Sequence, residues 1–130
     1  MPTQGVVSNT PEYGLGDTYP DLVVQLLDGA GNPIYLEAAN VVINIAHASY
    51  DYYYAPMDRI IDGDPCVVDP DQTIDGNRGW VSWTPNGLVL AGTFHYNFTI
   101  TFPGGGVQTV APSGTNSLIV RAPIGGNQYA

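Results

Sequence analysis

The run Gly92-Thr93-Phe94-His95-Tyr96-Asn97-Phe98-Thr99-Ile100-Thr101-Phe102 places a large apolar side chain at every second position. Phe94, Tyr96, Phe98, Ile100 and Phe102 alternate with His95, Asn97, Thr99 and Thr101. Successive side chains of a strand point to opposite faces, so this period puts the aromatics on one face and the polar groups on the other. A helix would scatter the same aromatics around its circumference. The run stops at Pro103-Gly104-Gly105-Gly106, which reads as a turn. One amphipathic strand needs a second sheet against its aromatic face, and the rest of the chain is expected to supply it.

Apolar runs on both sides meet that need. Leu22–Leu27, Val41–His47, Gly79–Thr84, Val107–Val110 and Ser117–Arg121 read as strands, with a short bridge at Ile34–Leu36 and another short strand at Cys66–Val68. On the Val41–His47 strand, Val41, Ile43, Ile45 and His47 share a face; on the Gly79–Thr84 strand, Val81 and Trp83 share one. Leu88–Ala91 leads into the long strand, and Glu37-Ala38-Ala39 is too short for a helix. With 16 glycines and 11 prolines falling between the apolar runs, the pattern predicts an all-β domain, an immunoglobulin-like antiparallel β-sandwich of about seven strands. The lone Cys66 leaves no Cys…Trp…Cys pattern, so an antibody-type domain is excluded.

The expected divisions are an N-terminal arm over 1–16, the sandwich over 17–122 and a polar tail over 123–130. One long irregular insertion spans 48–77, rich in Tyr, Pro and Asp. A loop of that length inside a compact domain is usually functional or partner-contacting.

Charge narrows the function classes. A net charge of -9 with no lysine cannot neutralise phosphates, which excludes nucleic acid and disfavours anionic membrane surfaces. No apolar run approaches the ~20 residues of a membrane span. The first residues, Met1-Pro2-Thr3-Gln4-Gly5, lack the basic and apolar regions of a signal peptide. Charged residues are only 12%, against about a quarter in a typical domain, which suggests that neighbours cover part of the surface.

Asp17-Thr18-Tyr19-Pro20 before Leu22–Leu26, then Asp28 with Gly31-Asn32-Pro33-Ile34-Tyr35-Leu36, resembles the first hairpin of the N-terminal immunoglobulin-like domain of phage upper-baseplate proteins. Related domains occur in other phage tail and head proteins. The second half extends the resemblance, with a Gly79-Trp80 strand, Ala91-Gly92-Thr93-Phe94, a glycine turn, and Val107-Gln108-Thr109-Val110-Ala111-Pro112 before the last strand. The resemblance covers Asp17–Ala122, with an insertion longer than the family pattern. It implies a stand-alone virion protein made without a signal peptide, a structural tail or baseplate component with no catalytic residues. Its implied partners are other virion subunits, in a symmetric oligomer or ring; capsid decoration is the alternative position.

The tyrosines Tyr50, Tyr52, Tyr53 and Tyr54 are the candidate contact residues, because Tyr gives large contact area at little entropic cost. They fit a subunit interface, packing on their own domain, or a carbohydrate or cell-surface binding module. Asp71, Thr73, Asp75 and Gly76 fall in calcium-loop register, but Ser82 stands where the bidentate Glu belongs and no helix flanks them, so a solvated acidic loop is expected. His47 and His95, with one cysteine and no paired spacing, do not make a zinc site. No nucleophile motif, phosphate loop or carboxylate pair is present, so no cofactor, no metal and no enzymatic activity are expected.

Overall fold

The computed structural model describes residues 10–47, 59–111 and 117–122. Those residues are all-β: β1 (Glu12–Gly14), β2 (Leu22–Gln25), β3 (Asn40–His47), β4 (Arg59–Pro65), β5 (Val67–Val68), β6 (Trp80–Trp83), β7 (Gly92–Thr101), β8 (Val107–Val110) and β9 (Ser117–Arg121). One sheet runs in the order β1-β9-β7-β3-β4, and β8 also pairs with β7; the other runs β2-β6-β5. β7 is central to the first. It pairs with β3 from Phe94 to Thr101 on one side, and on the other with β9 over Gly92–His95 and β8 over Phe98–Thr101.

The alternation of β7 builds the core. Phe94, Tyr96, Phe98 and Ile100 are buried, joined by Val41, Ile43 and Ile45 of β3 and by Leu118 and Val120 of β9. The second sheet supplies Leu22, Val24, Val81 and Trp83 to the same cluster. The Trp83 indole N–H donates to Asp64 Oδ2 at 2.7 Å, which ties β6 to β4 across the two sheets.

The structure departs from the sequence reading in three places. Residues 12–14, assigned to the arm, form β1, and Tyr13 is buried with its hydroxyl donating to the Pro20 carbonyl. β1 lies parallel to β9, so the sheets are not wholly antiparallel. The second half of the expected irregular insertion, residues 59–77, holds β4 and a 3-10 turn at Asp75–Asn77 besides the short strand expected at Cys66–Val68, which is β5. β4 has no readable period, because Asp62-Gly63-Asp64 breaks the apolar pattern and two register shifts against β3 interrupt its alternation.

The loop between β5 and β6 is held by one side chain, the fully buried Gln72. Its Oε1 accepts the backbone N–H of Leu36 at 3.1 Å and of Gly79 at 3.0 Å. Its Nε2 donates to the carbonyls of Asp69 at 2.9 Å and Asn77 at 3.2 Å. Gly79 sits at φ +84°, and a Cβ there would stand 2.8 Å from the Leu26 carbonyl oxygen, so the close approach requires glycine.

Burial has a consequence at high pH. Tyr13 is pushed up to about 12, first by desolvation and then by Asp21 and Asp17. Cys66 is pushed up to about 12 by desolvation and Asp64, and Tyr96 is raised by desolvation and by Tyr13. Each group stays neutral in the fold at a pH where the unfolded chain releases its proton. Their stabilisation is therefore complete below about pH 9 and is lost as pH rises towards 12, at up to about 1.4 kcal/mol per pH unit for each group. Thermal melts should show a flat midpoint up to about pH 9 and a steep fall above it. The Tyr96 hydroxyl is also buried without a hydrogen-bond partner among the described residues. Tyr96→Phe should raise stability at pH 7 by about 1 kcal/mol and soften the alkaline fall. A lower melting temperature at pH 7 would show that the hydroxyl is bonded in solution.

Candidate interaction surface

All 12 acidic residues lie at or before Asp75, and after Arg78 the chain carries one charged side chain, Arg121. The topology turns this linear asymmetry into a spatial one. β8 and β9 both flank β7, and none of the three carries a carboxylate; beyond β9 lies β1, whose Glu12 is paired with Arg121. β4, with Asp62 and Asp64, lies at the far edge of the same sheet, beyond β3. The outer face of the uncharged strands presents Thr93, His95, Asn97, Thr99 and Thr101 from β7, with Val107 and Thr109 of β8 beside Thr101 and Thr99.

This polar face is ordered by side-chain bonds. Asn44 of β3 is buried on it, and its Nδ2 donates to Asn97 Oδ1 at 2.9 Å and to Thr99 Oγ1 at 3.0 Å. His95 stands opposite Ala46 of β3 and Ser117 of β9. Interface centres are depleted of charge, and in a chain of net charge -9 the uncharged outer face of β7 and β8 is a surface where contact costs little desolvation.

The outer margin of β8 is unlike the other sheet margins. Val107, Gln108 and Thr109 are exposed, and Val107 is 65% exposed. The β7–β8 hairpin closes with Phe102 N–H donating to the Gly106 carbonyl at 2.8 Å, around Gly105 at φ +94°. Counted from that bond, Gln108 and Val110 face β7, while the N–H and C=O groups of Val107 and Thr109 point to the open side. Every other outer strand carries or abuts a carboxylate: Glu12 in β1, Asp21 before β2, Asp62 and Asp64 in β4, Asp69 after β5. β4 adds Pro65 and its two register shifts, and β1 is three residues long. These are the usual devices against edge pairing, and β8 has none of them.

The expected candidates fare differently. Tyr50, Tyr52, Tyr53 and Tyr54 lie outside the described residues; the chain leaves β3 at His47 and re-enters at Arg59. Tyr19 and Val89 are 80% and 78% exposed, on two loops joined where Gly16 N–H donates to the Leu88 carbonyl. The aspartates of the β5–β6 loop turn inward on their own backbone: Asp69 Oδ1 accepts Asp71 N–H, and Asp71 Oδ1 accepts both the N–H and the hydroxyl of Thr73. Among the described residues no three His, Cys, Asp or Glu side chains converge. The His47 ring packs on Phe94 at 4.9 Å. A shallow groove on the outer face of β2-β6-β5 includes Asp21 and Asp69, but Asp21 is engaged by the Thr84 hydroxyl and Trp80 is buried.

The β8 edge has no signature of its own in the sequence beyond the absence of acidic residues after Asp75; only pairing shows which strand keeps an open side. Compared with known proteins, the chain matches no family model, no curated protein and no solved structure.

Proposed function

We propose that this chain is a non-catalytic structural subunit of a tailed-phage virion, a tail or baseplate component that binds its neighbours through the carboxylate-free strands β7, β8 and β9. The carrying observation is the segregation of charge: the adjoining strands β7, β8 and β9 carry no carboxylate in a chain of net charge -9. A surface of this kind suits permanent contact with other subunits better than it suits catalysis.

The immunoglobulin-like reading is supported by strand order. Taking β2 to β7 as B, C, C′, D, E and F, and β8 with β9 as G, places B-E-D opposite G-F-C-C′, the order of variable-type immunoglobulin sheets. The phage assignment rests on the resemblance of Asp17–Leu36 and Ala91–Pro112 to virion domains of this type.

Immunogold electron microscopy of virions, with an antibody raised to this chain, tests the proposal. Label at the tail or its tip is the expected result. Label over the capsid moves the protein to head decoration, and particles without label overturn the virion reading. The carbohydrate-binding alternative depends on tyrosines outside the described residues, and nothing in the described sheets favours it.

A further inference from the structure

We infer that the open edge of β8 is a self-association site, where a second copy of this chain adds its own β8 antiparallel to form one continuous sheet. This inference deepens the subunit-binding reading above and rests on it for the identity of the surface.

Backbone geometry sets the register. Only Val107 and Thr109 offer N–H and C=O groups to the open side. An antiparallel pair related by a two-fold axis must match these positions to each other. With the axis at Gln108, Val107 of one copy faces Thr109 of the other and both outward positions are used twice. Gln108 then faces its own counterpart as a non-hydrogen-bonded pair, with Cα atoms about 4.5 Å apart. On the outer face the two β8 strands join Val107 and Thr109 to the threonine rows of β7, without a charge in the seam.

Electrostatics selects the partner and the place. Copies carrying a net charge of -9 repel one another on average. Pairing at β2, β4 or β5 would bring carboxylates of two copies together, and β1, whose Glu12 is paired with Arg121, is only three residues long. Pairing at β8 brings none from the paired strands themselves, because no Asp or Glu follows Asp75. A basic partner would gain nothing from this edge. Among the described edges β8 is the one that combines four residues of open strand with no carboxylate, and closed two-fold contacts are the commonest way in which identical chains associate.

The test uses the full chain and its edge variants. Sedimentation equilibrium of the native protein should show reversible dimers or larger closed species. Thr109→Pro removes an N–H that points away from β7, so the hairpin survives while the edge is blocked; association should weaken at least about tenfold, with an unchanged circular dichroism spectrum. If that variant misfolds, Val107→Lys with Thr109→Lys places like charges along the seam and should give the same loss. In a Cys66→Ser background, Gln108→Cys should form an intermolecular disulfide on mild oxidation. Val107→Cys should not, because its counterpart lies about 7 Å further along the strand.

A native chain that stays monomeric overturns the inference, as does an oligomer indifferent to both edge variants, or cross-linking at Val107 but not at Gln108. Virion labelling separates the two readings. An edge variant that still incorporates into particles removes the β8 seam and leaves the virion subunit. Dimers that never appear on particles keep the seam and remove the virion assignment.

Discussion

Phe98→Asp should abolish folding. Phe98 is buried at the centre of β7, between Ile43 of β3 and Val110 of β8, and its ring meets Tyr96 edge-on at 5.9 Å. Removing the ring alone costs about 3–5 kcal/mol. An unpaired carboxylate in the same place adds a desolvation penalty of several kcal/mol. Together they match the whole stability of about 5–15 kcal/mol expected of one domain. Thr99→Asp, one residue along, is the control. Thr99 faces outward, and its Oγ1 accepts the Asn44 amide, a role an Asp oxygen can keep. That variant should fold with a loss of about 1 kcal/mol or less. It also places a charge on the uncharged face, so it should weaken subunit contacts while leaving the monomer intact. Circular dichroism and thermal melts of both variants decide the matter. Equal folding would refute the facing of β7.

Gln72→Ala should have the second largest effect. The amide satisfies two buried backbone N–H groups and two carbonyls, and its removal leaves the Leu36 and Gly79 donors without a partner in a site closed to solvent. At about 1–3 kcal/mol for each orphaned group, the loss should reach about 3–5 kcal/mol, which for a domain of this size lowers the melting temperature by more than about 10 °C. Gln72→Glu is the sharper variant. It retains the acceptor for Leu36 and Gly79 but points a carboxylate oxygen at the carbonyls of Asp69 and Asn77. It should be as damaging at neutral pH and partly recovered in acid, where the carboxyl regains a donor. A melting temperature within a few degrees of the native protein would mean that the β5–β6 loop does not depend on this side chain.

The legible strands were those whose residues report their own burial. β2, β3, β6, β7, β8 and β9 have runs dense in Val, Ile, Leu, Phe, Tyr or Trp; for β7 the face read from the sequence is the face buried, whereas β3 also buries Asn44 and Ala46 and β6 also buries Trp80 on their other faces. β4 was illegible because its inward polar group, Asp64, is bonded to the Trp83 indole from the opposite sheet, and no local pattern announces such a partner. β1 was illegible because three residues make a strand only where a neighbour offers its edge, here β9, with the exposed Glu12–Arg121 ion pair at 2.8 Å beside it. Leu88–Ala91, apolar in sequence, is not a strand; Leu88 is buried while Val89 and Leu90 are exposed. Gln72 carried no signal, since its importance lies in how the loop folds around it, with three backbone partners within seven residues and a fourth, Leu36, far along the chain.

The interaction surface divides in the same way. The amino-acid sequence alone determined the two-sided character of β7, the all-β composition and the confinement of acidic residues to the chain before Gly76. Those are properties of side-chain period and order, and they do not depend on which strand lies beside which. The tertiary structure alone decided that the carboxylate-free strands β7, β8 and β9 adjoin in one sheet, with β8 at its margin and one side of its backbone turned outward. Strand order and register depend on contacts between residues far apart in the chain, and a linear pattern constrains the face of a strand more tightly than its neighbours.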